Sequence, residues 1–277
     1  MAVQTELVEF GDGEGIRRAA RLVAGGYVIG IFIDGVDTIW VDGRQSQAAA
    51  RIRAIKGEGR VGKPLSAILE AEFLAPLIDL NRIPQSLRDI FANAEELAAR
   101  MGALVALRLP VRAEAARELP PYMVSQTADG IYWLQDFIPH GHPTTSQLVH
   151  ELALAGVTLP AATSMNVSGT PEIADQEMAL AFSRQRDIPV LLHDPQPNPH
   201  IQGSFPILGI GPKGVVLLRE GHFPKQLFGY LLEYEEIDLS PARPARYPIS
   251  PQVRERFAET ELRGAALHKA LLDYTHG

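Results

Sequence analysis

Cysteine is absent from the 277 residues. That removes disulfides, thiol nucleophiles and thiolate metal sites, and it suits a reducing compartment. No apolar run reaches the roughly 18 residues of a membrane-crossing helix, so no membrane partner is expected. The opening stretch MAVQTELVEFGDGEG has no basic segment followed by an apolar one. No secretory leader is read there, and a cytoplasmic location is expected. Basic residues are the minority, 26 against 33 acidic, for a net charge of −7. This excludes a whole-surface nucleic-acid binder but leaves room for a local basic patch. Hydrophobic content of 46% and charged content of 21% are those of an ordinary folded chain, long enough for one large domain or two modest ones. Internal repeats and low-complexity tracts are missing too.

What is present alternates between helical and strand-like segments. Residues 14–25 show helical spacing of Ile16, Ala19, Ala20 and Val23, ended by Gly25-Gly26. Tyr27 to Ile33 is a continuous apolar run suited to a buried strand. It opens into Asp34-Gly35-Val36-Asp37-Thr38, either a plain turn or the strand-end position where open α/β sheets place ligands. Further strands are expected at 65–69, 103–109, 130–138, 189–193, 204–208 and 215–218. Helices are expected at 46–55, 71–101 (broken at Pro76 and Pro84), 145–155 and 173–184. Residues 239–251 carry four prolines and read as a linker, followed by one amphipathic helix from Val253 to Tyr274.

Two stretches carry most of the chemistry. Lys56 to Lys63 reads KGEGRVGK, with three cations and three glycines in eight residues. Glycine lets a backbone approach a polyanion and Lys and Arg neutralise it, although a solvated basic loop has the same composition. The order of residues is not that of a P-loop. Leu159 to Pro171 reads LPAATSMNVSGTP, a strand end, a polar turn and an expected helix start. Its hydroxyls and amide can cap a helix or contact an oxyanion. No protein metal site is assigned. His140 and His142 lack a third ligand at suitable spacing, and His193, Asp194 and His200 fall in a proline-rich loop.

Taken in order, these pieces resemble the YrdC-like family, whose best-known members make threonylcarbamoyl-adenylate from threonine, bicarbonate and ATP. The resemblance covers roughly residues 14–225 and rests on GVDT at 35–38, KGEGRVGKPL at 56–65, Ser164-x-Asn166-x-Ser168-Gly169, Ser204, and Arg219-Glu220-Gly221. It implies an α/β fold with a twisted, mostly open mixed sheet and flanking helices around a deep cavity. It also implies a division into 1–225 and a C-terminal helical extension, 226–277. ATP or AMP would be held by Lys56, Arg60, Lys63, Ser164, Asn166 and Arg219, with Mg2+ arriving on ATP. Thr38, Val105, Trp133, Phe137 and Ser204 would surround a second substrate.

The family pattern is broken mainly on the second-substrate side. Gly35 and Val36 replace a Pro and a Thr, Glu58-Gly59 widens the Lys-x-Arg spacing, and Val105 stands where a hydroxyl is expected. The family's carboxylate-binding Arg becomes Phe137, which cannot form a bidentate charged clamp. A Thr that meets the nucleotide aligns near Trp133, and Arg108 is the nearest alternative cation in sequence. Three readings follow: a carbamoyl-adenylate-forming enzyme, a nucleotide-binding regulator without catalysis, or an RNA-binding module.

Overall fold

In the computed structural model the described residues are 4–57, 59, 62–240 and 243–276. Arg60, expected to hold phosphate, lies outside them. β1 (Glu6–Glu9) leads to α1 (Gly13–Ala24), capped by Asp12, whose carboxylate accepts from the Glu14 and Gly15 amides. β2 (Ile29–Ile33) and β3 (Val36–Asp42) pair antiparallel across Asp34-Gly35. Both turn residues have positive φ, 40° and 84°. An Asp-Gly pair suits such a two-residue turn, whose twist matches the flanking strands. The expected strand-end loop is therefore a tight hairpin, and Thr38 lies within a strand.

α2 (Ala48–Lys56) leads through the basic loop to the short β4 (Ser66–Ala67). Residues 71–101 break near Pro76 and Pro84, with 3-10 turns between α3 (Ala71–Leu74) and α4 (Arg88–Ala92), and again at Asn93, the cap of α5 (Ala94–Met101). β5 (Ala106–Val111), α6 (Ala113–Glu118), β6 (Val124–Gln126), β7 (Tyr132–Phe137) and α7 (Pro143–Leu154) follow, then β8 (Pro160–Ser164). The helix expected at 173 starts later, as α8 (Gln176–Gln185), because Asp175 is its cap and accepts from the Met178 amide. β9 (Val190–His193), β10 (Ile207–Gly211) and β11 (Gly214–Arg219) complete the expected strands.

The sheet runs β1-β9-β2-β3-β8-β4-β7-β5-β10-β11, with β6 beside β7. Pairing is mixed: β1, β9 and β2 are parallel, whereas β2, β3, β8 and β4 are successively antiparallel. Strand alternation sends Val36, Thr38 and Trp40 of β3 to one face and Ile39 and Val41 to the other. The first face carries α1 and α7, packed over Ile16, Ile31, Trp40 and Leu148. The second carries the larger core, with Phe91, Leu97, Leu107 and Leu134.

Beyond 225 the chain is more structured than a linker and one helix. α9 (Leu227–Leu232) is buried, and β12 (Ile237–Asp238) adds a strand parallel to β11. The single expected helix is two, α10 (Pro251–Phe257) and α11 (Gly264–His276), the first started by the Ser250 cap with Pro251 at its N-terminus. Phe228, Leu231, Val253, Phe257, Leu267 and Leu271 all join the larger core. Six such side chains bury on the order of 10 kcal/mol of transfer free energy. The core thus continues past residue 225 without a boundary. No helix among the described residues is long and apolar enough to cross a membrane.

Candidate functional site

Seven neighbouring strands, β2 to β10 in the sheet order, floor a cavity of about 570 Å³. Alternation supplies much of its floor: Val36, Thr38 and Trp40 of β3, Ser66 and Ile68 at β4, and Gln135 and Phe137 of β7 are each spaced two apart, while β8 adds Ala162, Thr163 and Ser164 where it ends in the turn. One wall is the Ser164–Thr170 turn with Lys56 and Lys63. The other is the 202–205 loop with Arg219. Residues 243–247 pass across the rim as a strap, bringing Arg243, Arg246 and Tyr247 to the cavity.

The Ser164–Asn166 turn is built around a buried cation. Lys56, only 3% exposed, donates from Nζ to the Ser164 carbonyl and, at 2.7 Å, to Asn166 Oδ1. The Ser164 hydroxyl donates to the same Oδ1 at 2.7 Å, and Asn166 Nδ2 donates to the Val167 and Thr170 carbonyls. The Ser168 amide closes the turn onto the Lys56 carbonyl. Lys56 and Asn166 therefore shape the wall as struts, and Lys63, Ser168 and Thr170 are the groups beside them that face outward.

On the opposite wall the Arg219 guanidinium donates to the Phe205 carbonyl, 3.1 Å from Nε. Burial pulls its pKa down to about 10, with Glu172 opposing and Arg243 adding to the fall; it remains a cation at neutral pH. Glu172 is anchored in turn: its carboxylate accepts from the Ser204 amide at 3.3 Å and lies 3.8 Å from Arg246. Tyr247 donates to the Glu172 carbonyl at 3.0 Å, which fastens the strap to the wall. Among the described residues, five cations (Lys56, Lys63, Arg219, Arg243, Arg246) and two carboxylates (Glu172, Glu220) line the cavity, a balance of +3. No histidine is among the described lining residues.

The expected second-substrate residues are only partly gathered. Thr38, Phe137 and Ser204 line the cavity. Thr38 is already committed, since its hydroxyl donates to the Ile31 carbonyl and accepts from the Trp40 indole at 2.9 Å. Phe137 stacks on Phe205 with centroids 4.6 Å apart, and His222 packs behind Phe205. Burial pushes the His222 pKa down to about 4, so it is neutral at physiological pH. Val105 does not reach the cavity, because its position just before β5 turns it into the larger core. Trp133 shares the face of Gln135 and Phe137 but lies farther along β7, against Gly211 and over Arg108 at 5.5 Å. Arg108 is held there, bonded to Ser125, and is not a lining residue.

Sequence reading missed Glu172, Arg243, Arg246 and Tyr247. The first sat next to an expected helix start and the others in an expected linker. A sequence signal existed in Arg243-Pro-Ala-Arg246-Tyr247, two arginines and a tyrosine in a proline-rich stretch. Two buried carboxylates lie elsewhere. Among the described residues, neither oxygen of Asp37, nor Oδ2 of Asp136, finds a hydrogen-bond partner. Burial raises both well above the usual carboxylate range, with Asp175 adding to the first and Glu70 to the second.

No family profile and no curated protein matches the chain. Solved structures do. A doubly substituted form of Sua5 from P. abyssi superposes with a TM-score of 0.63 at 20% identity, over 84% of this chain and 65% of that one. The chain thus spans just under two thirds of that protein. Sua5 from P. abyssi complexed with L-threonine gives 0.62 at 18% identity, over 91% of this chain and 74% of that one. E. coli YciO gives 0.57 at 15% identity, over 78% and 96%. This is the YrdC-like fold. In it the chain is divergent, and the C-terminal helices are packed on the larger core.

Proposed function

We propose that this YrdC-like cavity binds the phosphates of ATP or AMP. The observation that supports it is the charge of +3 that the described lining residues carry, five cations and two carboxylates, inside a chain of net charge −7. A concave site with an excess of one charge sign focuses its field on a counter-charged ligand. Lys63, Arg243 and Arg246 would meet phosphate oxygens. Ser168 offers a hydroxyl, and Arg219 offers a buried charge from the opposite wall. Mg2+ would arrive on the triphosphate, taking phosphate oxygens and water, which is its habit in nucleotide sites.

In the enzymatic reading, a carbamate formed from bicarbonate and an amine attacks the α-phosphorus. The new P–O bond gives a carbamoyl-adenylate, and pyrophosphate leaves. Such a displacement asks the protein for positioning and charge neutralisation rather than a side-chain nucleophile. The stacked pair Phe137–Phe205 favours a second reading, a nucleotide-binding module without threonine chemistry. It occupies the place where the family resemblance expects a carboxylate-binding Arg. RNA binding is the third reading, and the acidic total of the chain, −7, favours a small ligand over it. Pyrophosphate release from ATP, bicarbonate and a panel of amines, with mass detection of the adenylate, tests the enzymatic reading. Release above the no-enzyme blank with any amine supports it; none with the whole panel, despite ATP binding, leaves the regulator.

A further inference from the structure

Asp34 sits at the tip of the β2–β3 hairpin with a side chain only 6% exposed. Two histidines from distant parts of the chain reach it. His276, in the last turn of α11, places Nε2 at 3.1 Å and 3.3 Å from the two carboxylate oxygens. His142, at the start of α7, places Nε2 at 3.4 Å from Oδ1. The two rings meet edge to face at 4.7 Å, and Phe10 lies edge-on to His142.

Three metal-capable side chains converge here, but the donor set fits a hydrogen-bonded carboxylate better than a cation. The Thr145 amide donates to His142 Nδ1 at 3.2 Å, as a helix cap. With Nδ1 accepting, a neutral His142 carries its proton on Nε2 and aims it at Asp34. A metal on that Nε2 would force an N–H on Nδ1 against the Thr145 N–H.

The cluster joins the chain terminus to the cavity wall. Asn198 Nδ2 donates to the Tyr274 carbonyl at 2.7 Å, tying α11 to the 194–203 loop. The Gly203 amide donates to the Gly35 carbonyl at 2.8 Å, tying that loop to the hairpin. The contact is close: a Cβ on Gly35 would lie 2.2 Å from the Ile201 carbonyl oxygen. Ile33 and Val36 flank this turn and Gln202, Gly203 and Ser204 end this loop, and all five line the cavity.

We propose that Asp34, His142 and His276 form a proton-dependent latch that fastens the end of α11 to the cavity wall. It holds the hairpin and the 198–204 loop in register, whatever ligand the cavity takes. The groups facing Asp34 are His142, His276 and, from the 221–223 segment, His222. Those facing His276 are Asp34, the His142 ring edge to face at 4.7 Å, Asp194 from the loop after β9, and Asp273 on its own helix. Burial lowers the His276 pKa, but the hydrogen bond and charge of Asp34, with the two further carboxylates, outweigh it and leave it raised. Burial likewise raises Asp34, and the two histidines outweigh that and hold it well below the usual range. The raised histidine contributes its stabilisation fully below the ordinary value of about 6.5, and loses it as pH rises through the folded value. The depressed carboxylate stays ionised throughout that range, so the latch loosens on the alkaline side.

NMR titration of the His276 ring in wild type and Asp34→Asn tests the couple, since Asn tolerates the positive φ of the turn. The wild type is expected to titrate above about 6.5 and the variant to fall back toward it. Hydrogen exchange at 201–205 in His276→Ala tests the coupling to the wall. At least about tenfold faster exchange than wild type is expected at pH 6, with the difference shrinking at pH 9. An ordinary His276 titration, or unchanged exchange in His276→Ala, overturns the proposal. So does a zinc-induced rise in wild-type Tm that His142→Ala abolishes, which would make the cluster a metal site. None of these readouts involves nucleotide, so they stand apart from the test of the cavity.

Discussion

Replacing Lys56 by Met isolates the strut beneath the Ser164–Thr170 turn. Methionine keeps much of the stem volume and removes the ammonium. The hydrogen bonds lost include those to the Ser164 carbonyl, to Asn166 Oδ1 and, at 3.5 Å, to the Ser164 hydroxyl. Asn166 Oδ1 keeps the Ser164 hydroxyl as a donor, so the group left without that partner is the Ser164 carbonyl. A hydrogen bond to a charged group is worth about 1.5–3 kcal/mol, and an orphaned buried acceptor costs a similar amount. Relief of burying the ammonium offsets part of this. A net loss of about 2–3 kcal/mol is expected. With an unfolding entropy of about 2.1 cal/mol/K per residue, the chain loses roughly 1.7 °C of Tm per kcal/mol, or about 3–5 °C in total. Calorimetry at pH 7.5 measures it, with nucleotide titration alongside. A Tm within about 1 °C of wild type together with abolished ATP binding would refute the strut and make Lys56 a direct phosphate ligand.

Three further outcomes are expected. Asp37→Asn should raise Tm at pH 8 and change it little at pH 4. A carboxyl whose folded pKa is raised loses stability as pH climbs from the ordinary value of about 3.9 toward the folded one, and scans across that range would show the wild-type slope flattened in the variant. Wild-type protein should give no threonine-dependent pyrophosphate release, because a carboxylate beside Phe137 and Phe205 without a clamp meets a desolvation cost of several kcal/mol; robust release would refute this. A peptide of residues 240–277 should be unfolded by circular dichroism, since Val253, Phe257, Leu267 and Leu271 bury against the rest of the core; cooperative melting of the isolated peptide would contradict it.

Much of the sheet was legible from apolar runs and their turn residues. Tyr27–Ile33 became β2 and the Gly209–Gly214 region became the β10–β11 hairpin, because both are encoded by neighbours in sequence. Asp34-Gly35 was a hairpin signal in plain sight, outweighed by the expectation of a ligand at a strand end. The polar turn after β8 was found by composition, yet its internal wiring to Lys56 was not, since that contact spans 108 residues. Val105 and Trp133 were placed by position in a motif, and motif position does not say how far along a strand a side chain sits. The strap was hidden because prolines signal a linker equally well when the segment is pinned by side chains, here Tyr247 on Glu172. The Asp34–His142–His276 cluster was invisible for a related reason: its members are separated by more than a hundred residues each.

Isothermal titration of the wild-type protein with Mg-ATP, repeated on Lys63→Glu and at two salt concentrations, tests the cavity most directly. Binding with a sub-millimolar Kd is expected. It should weaken by about 1–3 kcal/mol, some tenfold or more, in Lys63→Glu. Added salt should weaken it as well, because exposed cations supply part of the attraction. Absence of heat and of any thermal shift at millimolar Mg-ATP and AMP would contradict the assignment of this cavity to a nucleotide.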